Sequence, residues 1–236
     1  MENKKKMINI IICTLKSWNI SNGEKLKEKY YDKYNICIVS KKDELKDAVK
    51  DLKPKYIFFP HWSYIIPKEI YENYNCIVFH MTDLPYGRGG SPLQNLIVRG
   101  FEKTKISAIR VIEQIDAGPI YIKEDLSLIG SAEDIFNRAS DIIFNKMIPF
   151  IIENDIVPTE QKGNVVTFKR RKPEQSELNA NMSQRELYDY IRMLDAEGYP
   201  KAFIVWGKYK LQFSKAEIAD GKIIASVSIE EKKDSE

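Results

Sequence analysis

Two side chains stand out for the chemistry they could do. His80 closes an apolar run, CIVFH, and opens the Gly/Pro-rich stretch MTDLPYGRGGSP; Asp116 follows 36 residues later in a tight IDAGPI turn. A carboxylate beside an imidazole fixes its tautomer and favours its protonated form, which makes a proton shuttle near neutral pH. The bland alternative for Asp116 is a plain turn residue ahead of Gly118. His61 is the only other histidine, and packing and ligand contact are equally open readings of it. Cys13, Cys37 and Cys76 lie far apart in apolar runs and read as reduced core residues, without metal spacing or a disulfide framework. No GxGxxG or GxxxxGKS/T follows the first apolar run, and HExxH, CxxC and GxSxG are missing too. Dinucleotide, P-loop, zinc and nucleophile-elbow chemistries therefore lack their residues.

The elements that must position His80 and Asp116 are legible from periodicity. Residues 7–13, 36–40, 56–59 and 76–79 are short continuous apolar runs, the pattern of strands covered on both faces. Between them, 24–33 and 42–52 carry apolar residues at helical spacing. This rhythm predicts an α/β fold: a Rossmann-like, doubly wound, mostly parallel sheet. Ligands bind beyond the carboxyl ends of such strands, so PHWSYIIP after Phe59 and HMTDLPYGRGGSP after Phe79 carry most weight. A helix is expected over 93–99, strands over 105–113 and 121–128, and a long helix from Ser131, capped by Ser131 and Asp134 and kinked near its end by Pro149. Residues 154–162 read as a linker. Beyond it come a short strand at 165–168, the charged loop FKRRKPEQS, a helix at 184–193 and antiparallel strands at 202–206, 208–213 and 223–228, with turns at Gly207 and Asp220-Gly221. The expected division is a catalytic domain over 1–155 and a small C-terminal α+β module over 156–236.

Composition sets outer limits. Across 236 residues, 43% are hydrophobic and 30% charged, a globular balance, and 37 basic against 34 acidic side chains leave a net charge of only +3 without a basic stripe. A dedicated nucleic-acid binder is disfavoured on that count. MENKKKMINIIIC has a positive start but a short apolar run and no small-residue cleavage pattern, so it reads as the first buried strand of a cytoplasmic protein.

The run CIVFHMTDLPYGRGGSPLQNLIVRG, followed by ISAIRVIEQIDAGPI, resembles the folate-dependent formyltransferases, whose hallmark is roughly N-x-H-x-S-L-L-P-x-x-R-G-x-x-P and then an L/I-D-x-G turn. FFPHWSYIIPKEI looks like the family's preceding strand and folate-pocket loop, and the likeness covers about residues 7–153. It implies N10-formyltetrahydrofolate as formyl donor and a primary amine as acceptor. His80 and Asp116 match the catalytic histidine and aspartate, and Thr82 stands where the family has serine. By the same likeness, the backbone of Trp62, Ser63, Tyr64, Ile65, Glu113, Gln114 and Asp116 holds the pterin. One position departs: Val78 stands where the family has its catalytic asparagine. Either His80 carries the oxyanion alone, or Thr82, Asn95 or a backbone N–H replaces the lost donor, or the chain is inactive.

For the acceptor, the short C-terminal stretch and this version of the His80 loop look like sugar N-formyltransferases, most like those of pseudaminic acid biosynthesis, acting on a UDP-linked 4-amino-4,6-dideoxy sugar. A dTDP-linked 3- or 4-amino sugar is the alternative within the class. Trp18 or Trp206 offers a stacking surface and Lys169, Arg170 and Arg171 offer cations for a diphosphate; Asn19, Thr82 and Arg88 complete the expected substrate contacts. This reading expects no nucleic-acid partner, no membrane and no metal, with apolar positions in the last strands available for a homodimer. A non-catalytic folate or nucleotide binder and a formyl hydrolase are the readings from other classes.

Overall fold

The computed structural model describes residues 7–231. Its main sheet has six strands, and the four expected apolar runs are among them: β1 (Ile8–Cys13), β2 (Tyr34–Val39), β3 (Tyr56–Phe59) and β4 (Asn75–His80). The order is β2-β1-β3-β4-β6-β7, where β6 is Lys103–Arg110 and β7 is Ile120–Ser127. β1 pairs in parallel with β2 and β3, β3 pairs in parallel with β4, and β4 pairs antiparallel with β6. The α/β class, doubly wound and mostly parallel, is the one expected. β1 reads as a continuous hydrophobic run because it is central: Ile10, Ile11, Ile12 and Cys13 have no exposed surface.

Helices α1 (Ser17–Lys29) and α2 (Glu44–Leu52) fill the crossovers. α2 buries Leu45 and Val49, one turn apart on one face. α1 approaches β2 so closely at Gly23 that a Cβ there would stand 2.9 Å from Ile38 Cδ1. The core on one side of the sheet gathers Ile11, Cys13, Val39, Leu45, Val49, Ile57, Phe59 and Cys76, with Ile66 and Ile70 on or beside α3 (Lys68–Tyr71). Trp62, Val78 and Val111 pack against this cluster.

Several expectations need adjustment. Residues 86–89, read as loop, form β5 (Tyr86–Gly89), a strand without an apolar signal that pairs in a two-stranded ribbon with β8 (Val166–Phe168). α4 is Pro92–Ile97, opened by a proline at its start. The helix from Ser131 does not simply kink at its end: α5 (Ala132–Ile142) passes into a π-helical turn at Ile143–Met147 and continues as α6 (Ile148–Asn154). The wider turn absorbs Pro149, whose ring and missing N–H do not fit a regular helix interior. Ser131 caps α5 as expected, with its Oγ accepting from Asp134 N and its own N–H donating to Asp134 Oδ2.

Two compact units divide the chain: Met1–Arg88, Lys105–Leu126 and Asn137–Thr167 form one, and Gly89–Thr104, Ser127–Phe136 and Phe168–Glu236 the other. The second contains α7 (Gln184–Arg192) and a three-stranded antiparallel sheet, β11-β10-β9, built from β9 (Ala202–Trp206), β10 (Tyr209–Ala219) and β11 (Lys222–Glu231). α7 is opened by a capping box between Ser183 and Glu186. β10 runs further than expected because a register shift between Ser214 and Glu217, with Lys215 in the left-handed region, lets pairing resume beyond it. Within this unit Arg192 is buried, bonded to Asp189 and to the carbonyls of Leu128 and Gly130.

Candidate active site

His80 is the last residue of β4 and Asp116 lies in the loop between β6 and β7. Because β4 and β6 are neighbours, with His80 opposite Ser107, the two side chains converge: His80 Nδ1 lies 3.6 Å from Asp116 Oδ2. Both are largely withdrawn from solvent, with side chains 9% and 16% exposed. The other ring nitrogen, His80 Nε2, is 2.7 Å from the carbonyl oxygen of Gly87. A carbonyl only accepts, so Nε2 carries the hydrogen, and the ring shows its Nδ1 edge to the carboxylate.

Each partner is held by its own loop. Asp116 has φ 53°, in the left-handed region, a conformation that costs a non-glycine residue and persists only where its surroundings impose it. Gly118 explains the tightness of the turn: a Cβ there would meet Arg110 O at 1.8 Å, so no larger residue fits. The His80 loop is braced from β6 and β7. Ser107 Oγ donates to Thr82 O at 2.7 Å, and Lys123 Nζ bonds Asp83 Oδ1 and Leu84 O at 2.5 and 2.6 Å.

The other expected site residues fall into distinct settings. Thr82 is fully buried, with its hydroxyl directed at the same Gly87 carbonyl at 3.4 Å. Arg88 donates through Nε and Nη2 to Gln161 Oε1, at 3.1 and 2.7 Å. Asn19 is 2% exposed and spends its amide on Thr14 Oγ1 and Pro60 O, which makes it a brace for the start of α1. Trp18 meets His61 edge-on at 6.0 Å, under Lys16 Nζ at 5.5 Å. His61 has φ 56°, and burial pushes its pKa down to about 4, with the Lys16 charge acting in the same direction.

In the loop after β3, Trp62 packs on the core and against Phe59, while Ser63, Tyr64 and Ile65 are exposed, Ile65 at 92%. The indole Nε1 of Trp62 is buried without a hydrogen-bond partner among the described residues. Glu113 and Gln114 are exposed, as is Ile115 at 75%. Exposed apolar side chains on both loops offer surface for a flat heteroaromatic ligand such as a pterin. In the second unit, Lys169 gives its carbonyl to Asn95 Nδ2, and Arg171 is tied through its N–H to Ser91 Oγ and through Nη2 to Gln175 O. Lys169 and Arg170 are exposed. A Cβ on Gly90 would lie 2.5 Å from Arg170 Cβ, which accounts for the paired glycines of GRGG.

Val78 shares a face of β4 with His80 and packs on the core cluster, so it supplies no donor. Asn95 does not replace one: its Nδ2 is spent on the carbonyls of Gly90, Ser91 and Lys169. One further residue, Gln161, escaped the sequence reading. Its Nε2 donates to Asp116 O and Gly118 O, both at 2.9 Å, while its Oε1 receives Arg88. It lies in what read as a linker, where only the ladder between Thr159 and Ile120 marks structure. Among the described residues no helix is long and apolar enough to cross a membrane.

The comparisons with known proteins agree on the chemistry and change the acceptor. The family model for formyl transferase matches residues 24–143, and a second, for the C-terminal domain of methionyl-tRNA formyltransferase, matches 173–230. A solved structure of a methionyl-tRNA formyltransferase from Clostridium thermocellum is 59% identical, covers 96% of this chain and 100% of its own, and superposes with a TM-score of 0.94. A methionyl-tRNA formyltransferase of Bacillus thuringiensis is 32% identical over 79% of this chain and 63% of its own. A sugar N-formyltransferase from Shewanella is 16% identical, covers 91% of this chain and 100% of its own with a TM-score of 0.67, and shares the fold alone. The chain spans 50% and 63% of the length of the first curated relatives it matches. These likenesses overturn the expected nucleotide-linked amino sugar and the expectation of no nucleic-acid partner, since the much more similar proteins are named for methionyl-tRNA. That expectation has a physical source: the motifs around His80 and Asp116 carry no signal for the acceptor, and an almost balanced net charge gives no compositional sign of a nucleic-acid partner. Formyltransferases use N10-formyltetrahydrofolate, the donor expected from the sequence. On the span of the first model alone, together with the near-complete likeness to the Clostridium structure, the chain belongs to the formyl transferase family.

Proposed function

We propose that this protein moves the formyl group of N10-formyltetrahydrofolate to the amine of methionyl-tRNA. The observation that carries the chemistry is the pairing of His80 Nδ1 with Asp116 Oδ2 at 3.6 Å while Nε2 holds its hydrogen. The acceptor is supported by the 59% identity to the Clostridium enzyme and by the match of residues 173–230. Donor chemistry is assigned to residues 1–155 and acceptor recognition to 156–236.

The neutral amine attacks the formyl carbon, whose carbonyl oxygen becomes an oxyanion in a tetrahedral intermediate. Collapse breaks the bond from carbon to N10, which leaves as an amine once it has gained a proton; the attacking nitrogen loses one. With a second ring proton held on Nδ1 against Asp116, His80 Nε2–H exchanges the Gly87 carbonyl for substrate, hydrogen-bonds the oxyanion and then passes its proton to N10, which leaves a neutral ring; the amine proton returns to Nε2 directly or through water. Asp116 orients the ring and offsets the positive charge that grows when both nitrogens are protonated. With Val78 in place of an amide, this single donor bears what two would share; losing one oxyanion donor typically costs about 2.7–4 kcal/mol. Holding donor and amine together supplies the orientation term that no side chain gives alone.

The loop residues 62–65 and 113–116 hold the pterin, and the exposed Lys169 and Arg170 contact RNA phosphates. Incubating the protein with formyl donor and methionyl-tRNA, and scoring formyl-methionyl-tRNA and released tetrahydrofolate, tests the assignment. Both products in equal amounts are expected. Formate released without formylated RNA would instead identify a hydrolase.

A further inference from the structure

Gln161 joins the two halves of the site. Its amide has one acceptor and two donor hydrogens, and each meets a partner in the same compact unit: the Arg88 guanidinium on the oxygen side, the carbonyls of Asp116 and Gly118 on the nitrogen side. Those partners fix which way the amide faces, because guanidinium cannot accept and carbonyls cannot donate. The chain on either side is pinned as well. Thr159 exchanges both backbone hydrogen bonds with Ile120, at 2.7 and 2.9 Å, and Val166 N donates to Pro85 O at 3.3 Å. A stretch that read as a linker is thus a strap from the end of the Asp116 turn to the loop that follows His80.

The strap acts where the turn is least stable on its own. Asp116 occupies the left-handed region and Gly118 sits against Arg110 O, so the turn conformation is imposed from outside. We propose that Gln161 is a positioning residue: by holding the Asp116 and Gly118 carbonyls it keeps the Asp116 carboxylate registered on His80, and by holding Arg88 it ties that register to the loop carrying Gly87, the partner of His80 Nε2. The idea rests on the reading of His80 and Asp116 as the reacting pair, and goes beyond it by assigning the control of their geometry to a residue outside both loops.

The test reads His80 directly. With only two histidines in the sequence, a His61→Gln background leaves one imidazole, whose ring carbon and nitrogen resonances are observed in labelled protein. Asp116→Asn sets the displacement caused by losing the carboxylate. Gln161→Met keeps length and removes every hydrogen bond; Gln161→Glu keeps the Arg88 partner and points an acceptor at two carbonyls. Both are expected to move the His80 resonances towards their Asp116→Asn positions. In the formylation assay kcat is expected to fall about 10- to 100-fold, with KM for donor and acceptor held within about threefold. A merely structural glutamine would lower the melting temperature while the folded protein kept wild-type ring resonances and kcat; that result in either folded variant overturns the proposal. Displaced resonances in a protein whose wild type formylates no methionyl-tRNA would leave the positioning role standing and sink the functional assignment instead.

Discussion

The loops after β3 and β4, two adjacent parallel strands, each present a histidine and treat it in opposite ways. His61 stands in the left-handed region edge-on to Trp18, and burial lowers its pKa to about 4, with Lys16 adding to the effect. His80 closes its strand with Asp116 facing one ring nitrogen and the Gly87 carbonyl facing the other. The same side chain is therefore kept neutral in one loop and set against a carboxylate in the next. Position after a strand marks both as candidates; only the groups brought in from distant segments distinguish one as the proposed proton shuttle.

Removing His80 is the strongest attack on that contrast. His80→Ala is expected to lower kcat/KM for formyl transfer by about 10³-fold without loss of folding, because both the oxyanion donor and the proton route go with it. A folded His80→Ala protein with near-wild-type kinetics would erase the distinction between the loops. Asp116→Asn keeps the size of the side chain and removes its charge, and is expected to cost about 10²-fold in kcat with KM little changed. Gly118→Ala attacks the turn itself. Its methyl would overlap Arg110 O, so denaturant unfolding should show a loss of about 2 kcal/mol or more, accompanied by an activity loss like that of Asp116→Asn.

His61→Gln is the converse test. Activity should stay within about twofold of wild type, since nothing in the proposed reaction passes through it. Its effect lies in acid stability. The folded pKa of about 4 is below the ordinary value of 6.5, so the unfolded chain binds more protons between those values, and wild-type stability falls as pH drops from 6.5 towards 4. At most about 3 kcal/mol is at stake, and the variant should lack this part of the slope. The smallest effect is expected for Trp62→Phe: removing an indole N–H without a partner should change free-protein stability by no more than about 1 kcal/mol.

Much of this contrast is visible in the sequence, for identifiable reasons. β1 to β4 announce themselves because both faces of each are covered, which forces continuous apolar runs; His80 stands at the end of β4, and Asp116 lies in the turn beyond β6. β5 was illegible because YGRG takes its strand conformation from pairing with β8 and not from side chains it buries. Gln161 was illegible for a related reason: its four hydrogen bonds reach 43 to 73 residues away, and no local pattern records them. Asn19, a polar residue after the first strand, has its Nδ2 bonded to Thr14 Oγ1 and Pro60 O, contacts that likewise leave no local pattern in the sequence. The acceptor could not be read from the His80 and Asp116 loops at all, because an imidazole and a carboxylate in the proposed roles would serve any amine brought to them.

The central claim is tested most directly by rapid mixing of wild-type protein and His80→Ala with N10-formyltetrahydrofolate and methionyl-tRNA, following formyl-methionyl-tRNA in a single turnover. The account predicts stoichiometric product from wild type and a rate about 10³-fold lower from the variant. Equal single-turnover rates, or tetrahydrofolate released by wild type while the RNA amine stays unformylated, would contradict it.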